Sequence, residues 1–422
     1  MAYKFNYKLL EIYERALSDC SEQFRTIEGK TAKNCEKVLL ALNENRVRET
    51  DFCGSTGYGY GDTGRDKLDK VIADILHVDA GIMRAQITCG THAISNVLFG
   101  NLRPGDGLIA GSGVPYDTLH YVIGTAGADK NDGSLIDLGV KFDVCPLKND
   151  NTIDIDRLCN MISGNTKMVA FQRSRGYSWR NALTLQQIAD AVSAVKAVKS
   201  DIICFVDNCY GTFTQELEPT DVGADIVAGS LIKNAGGGIA PTGGYIAGKS
   251  DLVRRAGARL TAPGLDLHVG ATLDTNRLLY QGLYFAPIVV GEALKTSTIL
   301  CRLSELLGYE VMPDSHADRN DIVQSLKFKN ADMLVAFCKG VQKGSAVDSD
   351  ISPEPGDMAG YESKIIMASG SFIFGSSIEI SCDAPLREPF IAYMQGGLNL
   401  HYSKFAILHA FQELINEGFL KI

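Results

Sequence analysis

The chain has 422 residues, of which 45% are hydrophobic, enough to bury the core of two domains or of one large domain with an appendage. Its 41 Lys and Arg against 50 Asp and Glu give a net charge of −9, and no basic stripe or aromatic-interleaved arginine run points to nucleic acid. No signal-peptide core and no apolar run of bilayer length is read from the sequence, so a cytoplasmic protein with no membrane partner is expected.

The 11 cysteines are scattered singly, with no Cys-x-x-Cys pair and no histidine at ligand spacing. Buried free thiols in a reducing compartment are expected, and no metal site.

Residues 1 to 47 alternate apolar and charged positions at helical spacing, as in Leu9-Leu10-Glu11-Ile12 and Val38-Leu39-Leu40-Ala41, which predicts two amphipathic helices against a larger body. The stretch Gly57-Tyr58-Gly59-Tyr60-Gly61-Asp62-Thr63-Gly64-Arg65 satisfies G-x-G-x-x-G at Gly59, Gly61 and Gly64. No strand precedes it, so it suits a loop presenting Tyr and Arg to an anion better than a dinucleotide turn. A short strand is expected at Ala85-Gln86-Ile87-Thr88, then Gly90-Thr91 and a helix with Ala93, Ile94, Val97 and Leu98 on its apolar side. The free amides and dipole of that helix start suit a phosphate; the plainer alternative is a helix start capped by Thr91.

Gly107-Leu108-Ile109-Ala110 predicts a strand, and Tyr116 just beyond it can stack on a flat ring, shuttle a proton, or serve as a core tyrosine. Strands at 140–144 and 168–172 alternate with helices near 154–161 and 184–199. Between them Gln172-Arg173-Ser174-Arg175-Gly176-Tyr177 sits at a strand's C-terminal edge, where two arginines suit a carboxylate or phosphate unless they are simply solvated.

Ile202-Ile203-Cys204-Phe205-Val206-Asp207 reads as a strand of a parallel sheet covered on both faces, with its carboxylate where such sheets place their sites. Ala224 to Ser230 is a second apolar strand, followed closely by Lys233. Burial drives a lysine toward its neutral, nucleophilic form, which condenses with an aldehyde. The cofactor that uses this chemistry is pyridoxal phosphate, with an acidic partner at its ring nitrogen, here Asp207. The plainer alternative is a solvated loop lysine and a helix-capping aspartate.

A returning strand at 242–248, a helix at 250–256 and a long helix from about Pro287 to Leu307 follow. The C-terminal part is expected to carry short strands at Phe372-Ile373-Phe374 and Ile378-Glu379-Ile380 and a last helix from about His401 to Glu417. The expected divisions are an N-terminal helical segment (1–47), a large domain (48–295) and a small domain (296–422).

Taken in order, the Gly57–Asp66 loop, Cys89-Gly90-Thr91-His92-Ala93, Pro115-Tyr116-Asp117-Thr118-Leu119, Gln172–Tyr177, Val206-Asp207-Asn208-Cys209-Tyr210-Gly211 and Gly229-Ser230-Leu231-Ile232-Lys233-Asn234 resemble one family. It is the fold-type I pyridoxal-phosphate enzymes, in the cystathionine and methionine lyase group, and within that the methionine gamma-lyase-related or aluminium-resistance branch. The resemblance implies an α/β fold of the aspartate aminotransferase type, with a mostly parallel seven-stranded sheet and a smaller C-terminal α+β domain. It implies that Lys233 holds the cofactor as a Schiff base, Asp207 pairs with the pyridinium nitrogen and Tyr116 stacks on the ring. Gly90, Thr91 and Ser230 would hold the phosphate, with Tyr58 or Tyr60 and Arg65 supplied by a neighbouring subunit. A homodimer with shared sites, and a tetramer of such dimers, are therefore expected.

The same resemblance implies a carbon–sulfur lyase acting on a sulfur amino acid, as a cystathionine beta-lyase or methionine gamma-lyase does. Arg387 is the candidate for the substrate carboxylate, with Arg173 or Arg175 behind it. Two departures stand out: Ile232 replaces the hydroxyl residue usual before the lysine, and Gln-Arg-Ser-Arg replaces a proline-rich loop. The rival readings are another pyridoxal-phosphate reaction such as transamination, aldol cleavage or racemisation, a cofactor-binding stress protein without activity, and a nicotinamide oxidoreductase resting on the glycine pattern alone.

Overall fold

In the computed structural model, which describes residues 3–127, 132–358, 361 and 363–422, the chain opens with two helices, α1 (Tyr7–Asp19) and α2 (Ser21–Glu44). Their apolar faces go to different places. Leu9, Tyr13 and Ala16 of α1 enter the C-terminal core, whereas Ile27, Val38 and Ala41 of α2 enter the large core. After an irregular stretch that includes the glycine loop, Asp62 caps α3 (Thr63–Ile75) by accepting from the Arg65 amide.

Seven strands follow: β1 (Ala80–Arg84), β2 (Gly107–Ala110), β3 (Lys141–Val144), β4 (Thr166–Gln172), β5 (Ile203–Asp207), β6 (Ile226–Ser230) and β7 (Gly244–Gly248). They form one sheet in the order β3-β2-β4-β5-β6-β7-β1, parallel from β3 to β6, with β7 antiparallel to both neighbours. Parallel neighbours need crossovers, and α4 (Gly90–Asn101), α5 (Asp117–Ile123), α6 (Ile155–Met161), α7 (Leu185–Val198) and α8 (Ser250–Leu260) cover the sheet. Register pairs Gln172 with Asp207 and Asp207 with Ala228, so the C-terminal ends of β4, β5 and β6 lie side by side. Loops leaving those ends converge on one crevice.

The first strand lies earlier than the sequence suggests. The run Ala85 to Thr88 is a turn, because β1 at Ala80–Arg84 already fills the place beside β7. Ile87 is buried in that turn, close to the Gly244 backbone, and so imitates a strand residue.

The long helix α9 (Asn276–Leu306) also starts earlier than expected and runs through Pro287. Its backbone lies directly against the turn Asn234–Gly236: a Cβ on Gly282 would meet the Gly236 carbonyl at 2.4 Å. Tight packing on both sides holds the helix through the proline, which forfeits one intrahelical bond. α9 is long and apolar enough to cross a membrane by length and composition, against the expectation of no such run, but 72% of its most apolar window is buried inside the protein. It passes from the large core to the C-terminal core between Leu294 and Ile299.

The C-terminal sheet is wholly antiparallel, formed by β8 (Glu310–Met312), β9 (Val323–Lys327), β10 (Ile365–Ala368), β11 (Ser381–Pro385) and β12 (Ile391–Gln395) in the order β10-β11-β12-β9-β8. Helices α10 (Ala331–Lys343) and α11 (Leu400–Asn416) supply its core. The strands expected at 372–374 and 378–380 are turns instead. Glu379 accepts the amides of Phe372 and Ile373, which curls the segment back on itself and leaves Phe374 exposed.

Candidate active site

The C-terminal ends of β5 and β6 carry Asp207 and Ser230, and three residues past β6 the chain turns at Lys233. Lys233, Asp207, Ser230, Gly90, Thr91 and Tyr116 all line one cavity of about 280 Å³. Lys233 begins the Asn234–Gly236 turn, which α9 braces from behind, and Ser376 donates to the carbonyl of Ile232. The backbone on either side of Lys233 is therefore held in place. The Nζ lies 3.9 Å from the centroid of the Tyr210 ring, cation–π distance.

Electrostatics correct one expectation. Burial pushes the Lys233 ammonium toward losing its proton, but Tyr210, Cys209, Asp207 and Tyr116 push the other way and the net direction is upward. Burial in turn pushes the Cys209 thiol and the Tyr116 and Tyr210 phenols up. Asp207 is itself raised by burial, with Lys233 pulling back. Burial alone would lower Lys233, and its neighbours, Tyr210 first and Asp207 among them, turn that direction round.

Next to this pair is an anion cradle. Gly90 and Thr91 open α4, where first-turn amides have no intrahelical acceptor, and the helix dipole adds positive potential. Across from them the Ser230 hydroxyl is buried without a hydrogen-bond partner. Gly90 is needed for closeness, because a Cβ there would lie 2.8 Å from Cys209 Sγ. A buried, unpaired hydroxyl facing helix-start amides is a donor set for a phosphate. Tyr116 is held from two directions: its hydroxyl meets Thr91 Oγ1 at 3.0 Å, and its amide donates to Gln172 Oε1 at 3.0 Å.

The arginines divide differently from expectation. Arg173 is fully buried, donating to Asn208 Oδ1 and the Gly211 carbonyl, with buried Glu218 at 3.7 Å. Arg175 is clasped by both oxygens of Asp321 and by the Met312 carbonyl. Neither is available to a substrate; both tie the loop after β4 into the fold. Arg173→Ala would leave Glu218 buried without its cation and should cost about 3–5 kcal/mol of stability. The check is a shifted denaturant midpoint.

Arg387 is exposed, 3.8 Å from the cavity-lining Asp117. It borders an adjoining recess of about 130 Å³ that shares Tyr177 and Tyr393 with the main cavity. Arg65 is also corrected: it is buried within this chain, donating to the carbonyls of Gly59, Gly270 and His268, and is not free to project outward as that reading needs. Tyr58 and Tyr60 are exposed and stacked on each other at 5.6 Å, and they do not line this cavity.

Sequence reasoning missed the far wall. Tyr177, Tyr361, Tyr393 and Gln395 line it, and Asp383 stands behind, accepting from the Tyr177 hydroxyl at 3.0 Å and from Gln395 Nε2 at 2.7 Å. A charged residue in the otherwise apolar run Cys382-Asp383-Ala384 was the available signal.

The family model described as methionine gamma-lyase matches residues 9–415. An uncharacterized Bacillus subtilis protein, YnbB, is 42% identical over 400 residues, covering 95% of each chain. A structure of a carbon-sulfur lyase involved in aluminum resistance from Clostridium novyi NT is 46% identical, with TM-score 0.94 over 97% of this chain and 96% of that one. A Clostridium acetobutylicum protein, provisionally described as a cystathionine beta-lyase involved in aluminum resistance, is 45% identical with TM-score 0.94, over the same shares. The pyridoxal-5'-phosphate dependent protein YhfS of Escherichia coli shares the fold at 16% identity, TM-score 0.63, over 92% of this chain and 97% of that one.

Proposed function

This chain belongs to the methionine gamma-lyase family, pyridoxal-phosphate-dependent carbon–sulfur lyases of fold type I, and we propose that it binds pyridoxal phosphate on Lys233 and cleaves the carbon–sulfur bond of a sulfur amino acid. The observation that carries the reading is the meeting of three groups in one cavity: a lysine, a carboxylate from the neighbouring strand end, and an unpaired hydroxyl facing helix-start amides. These are the partners that the aldehyde, the ring nitrogen and the phosphate of pyridoxal phosphate require. The fit is good.

When bound, the cofactor supplies an electron sink for the carbanion at the substrate Cα. The chain supplies the rest. Lys233, on its braced turn, takes the proton from Cα, Asp207 holds a proton at the ring nitrogen, and Tyr116 gives a proton to the departing sulfur. Such acid and base steps each contribute about 10²- to 10⁴-fold. Arg387 at the mouth, loosely paired with Asp117, receives the substrate carboxylate, and the exposed Tyr58 and Tyr60 complete the site of a second subunit.

Ser230→Ala should weaken cofactor binding about tenfold or somewhat more, the effect of losing one hydrogen bond to a charged group, with the fold intact. Fluorescence titration of the cofactor-free protein measures this. For the reaction, release of a thiol and a 2-oxo acid from cystathionine or methionine is the expected result. Conversion of the cofactor to its amine form without thiol release would indicate transamination instead.

A further inference from the structure

Asp383 is a second carboxylate at the site, and the reaction outlined above does not use it. It stands on β11 with 9% of its surface exposed and, among the described residues, makes no ion pair. Its Oδ2 accepts from the Tyr177 hydroxyl and from Gln395 Nε2, and both of these donors line the cavity. The titratable groups that bear on this corner are Lys233 and the phenols of Tyr177, Tyr361 and Tyr210. Gln395 and Tyr177 together fix which oxygen of Asp383 takes the phenol proton.

This geometry answers a need that the proposed function creates. An amino acid arrives as an ammonium ion, and its nitrogen has no lone pair until one proton leaves. The Tyr177–Asp383 pair on the far wall offers that proton a route that does not use Lys233, whose nitrogen is committed to the cofactor in the loaded enzyme. We propose that Tyr177, positioned by Asp383, accepts the proton that an incoming amino acid sheds before its nitrogen can act as a nucleophile. The inference rests on the reading that the cavity takes an amino acid at Lys233.

The step balances. A substrate N–H bond breaks, leaving its electron pair on nitrogen, and the proton forms a bond to the Tyr177 oxygen. The proton already directed at Asp383 leaves Tyr177 for Oδ2. An ammonium and a carboxylate become an amine and a carboxylic acid, so two buried charges disappear together. Burial pushes the Asp383 carboxyl upward, with Tyr177, Gln395 and Lys233 pulling back, the direction that makes a carboxylate a better base. The Tyr177 hydroxyl already donates to Asp383 at 3.0 Å, so the phenol can pass a proton on as it accepts one; burial first and then Asp383 raise it.

The test is the pH profile of kcat/KM for the holoenzyme and its Asp383→Asn and Tyr177→Phe variants. It is read beside pH-difference infrared spectra of the cofactor-free protein. In the parent enzyme kcat/KM should be level above an acid limb set by Asp383. In both variants the substrate must arrive already deprotonated, so kcat/KM should climb about tenfold per pH unit through the neutral range. The infrared spectra should show a protonated carboxyl band that titrates above the ordinary aspartate value of about 3.9 and is missing from Asp383→Asn. Variants whose kcat/KM falls by one factor at every pH, with the parent's profile, would assign Asp383 a merely structural role and overturn the proposal. So would a carboxyl band at the ordinary aspartate position. Borohydride linkage of the cofactor to Lys233, made on the same preparations, separates the two claims: without it the reading of the site falls as well, and with it an unchanged profile removes only the Tyr177–Asp383 assignment.

Discussion

Lys233→Ala should abolish the visible absorbance of the cofactor-loaded protein and lower turnover on the order of 10⁴-fold or more, since the covalent anchor and the Cα base are lost in one substitution. The variant should still fold, because the turn after Lys233 is held by backbone contacts with α9 and not by the lysine side chain. It removes the cation that pulls the buried Asp207 carboxyl back down, so that carboxyl rises further. Absorbance spectra and circular dichroism of the purified variant check both halves. A visible band unchanged from the parent would show that another residue binds the cofactor.

Asp207→Asn should act in two opposite directions. Removing the carboxylate takes away one of the groups that raise Lys233, so burial weighs more and the lysine's pKa falls. The linkage sign follows: the parent loses its Lys233 proton only at high pH, whereas the variant loses it at lower pH. The cofactor-free variant should therefore condense with pyridoxal phosphate at a lower pH than the parent. Turnover should nonetheless drop by about 10²–10³-fold, the scale seen when one preorganised group stabilising developing charge is removed. Absorbance on adding the cofactor across a pH series gives the first quantity, and steady-state kinetics the second. Faster condensation with full turnover would mean that Asp207 tunes the lysine and nothing more.

The sequence carried the large sheet and the near wall of the site because both are local. Apolar runs such as Ile203 to Val206 and Ile226 to Ala228 are buried on both faces and leave little choice but central parallel strands. Asp207, Ser230 and Lys233 stand at or just past strand ends, so strand recognition alone brings them together. The sequence misplaces Arg65, Arg173 and Arg175 because residue type says nothing about partners. Asp321, the carboxylate that occupies Arg175, is 146 residues away, and Glu218, which faces Arg173, lies in a loop without a motif. Asp383 is hidden for the same reason: its significance depends on Tyr177, 206 residues distant, and on a strand pairing that sets Gln395 opposite Ser381, from where it reaches Asp383 diagonally. The start of α9 was hidden by Pro287, whose cost is offset by packing of Gly282 on Gly236, a contact between segments far apart in the chain.

The most direct test of the central claim is borohydride reduction of the protein loaded with pyridoxal phosphate, followed by mass mapping of its peptides. Loss of the visible band, with the reduced cofactor's mass on the peptide that contains Lys233, is the predicted result. A protein that shows no such band after the cofactor is added, or that carries the added mass on a different lysine, would contradict it.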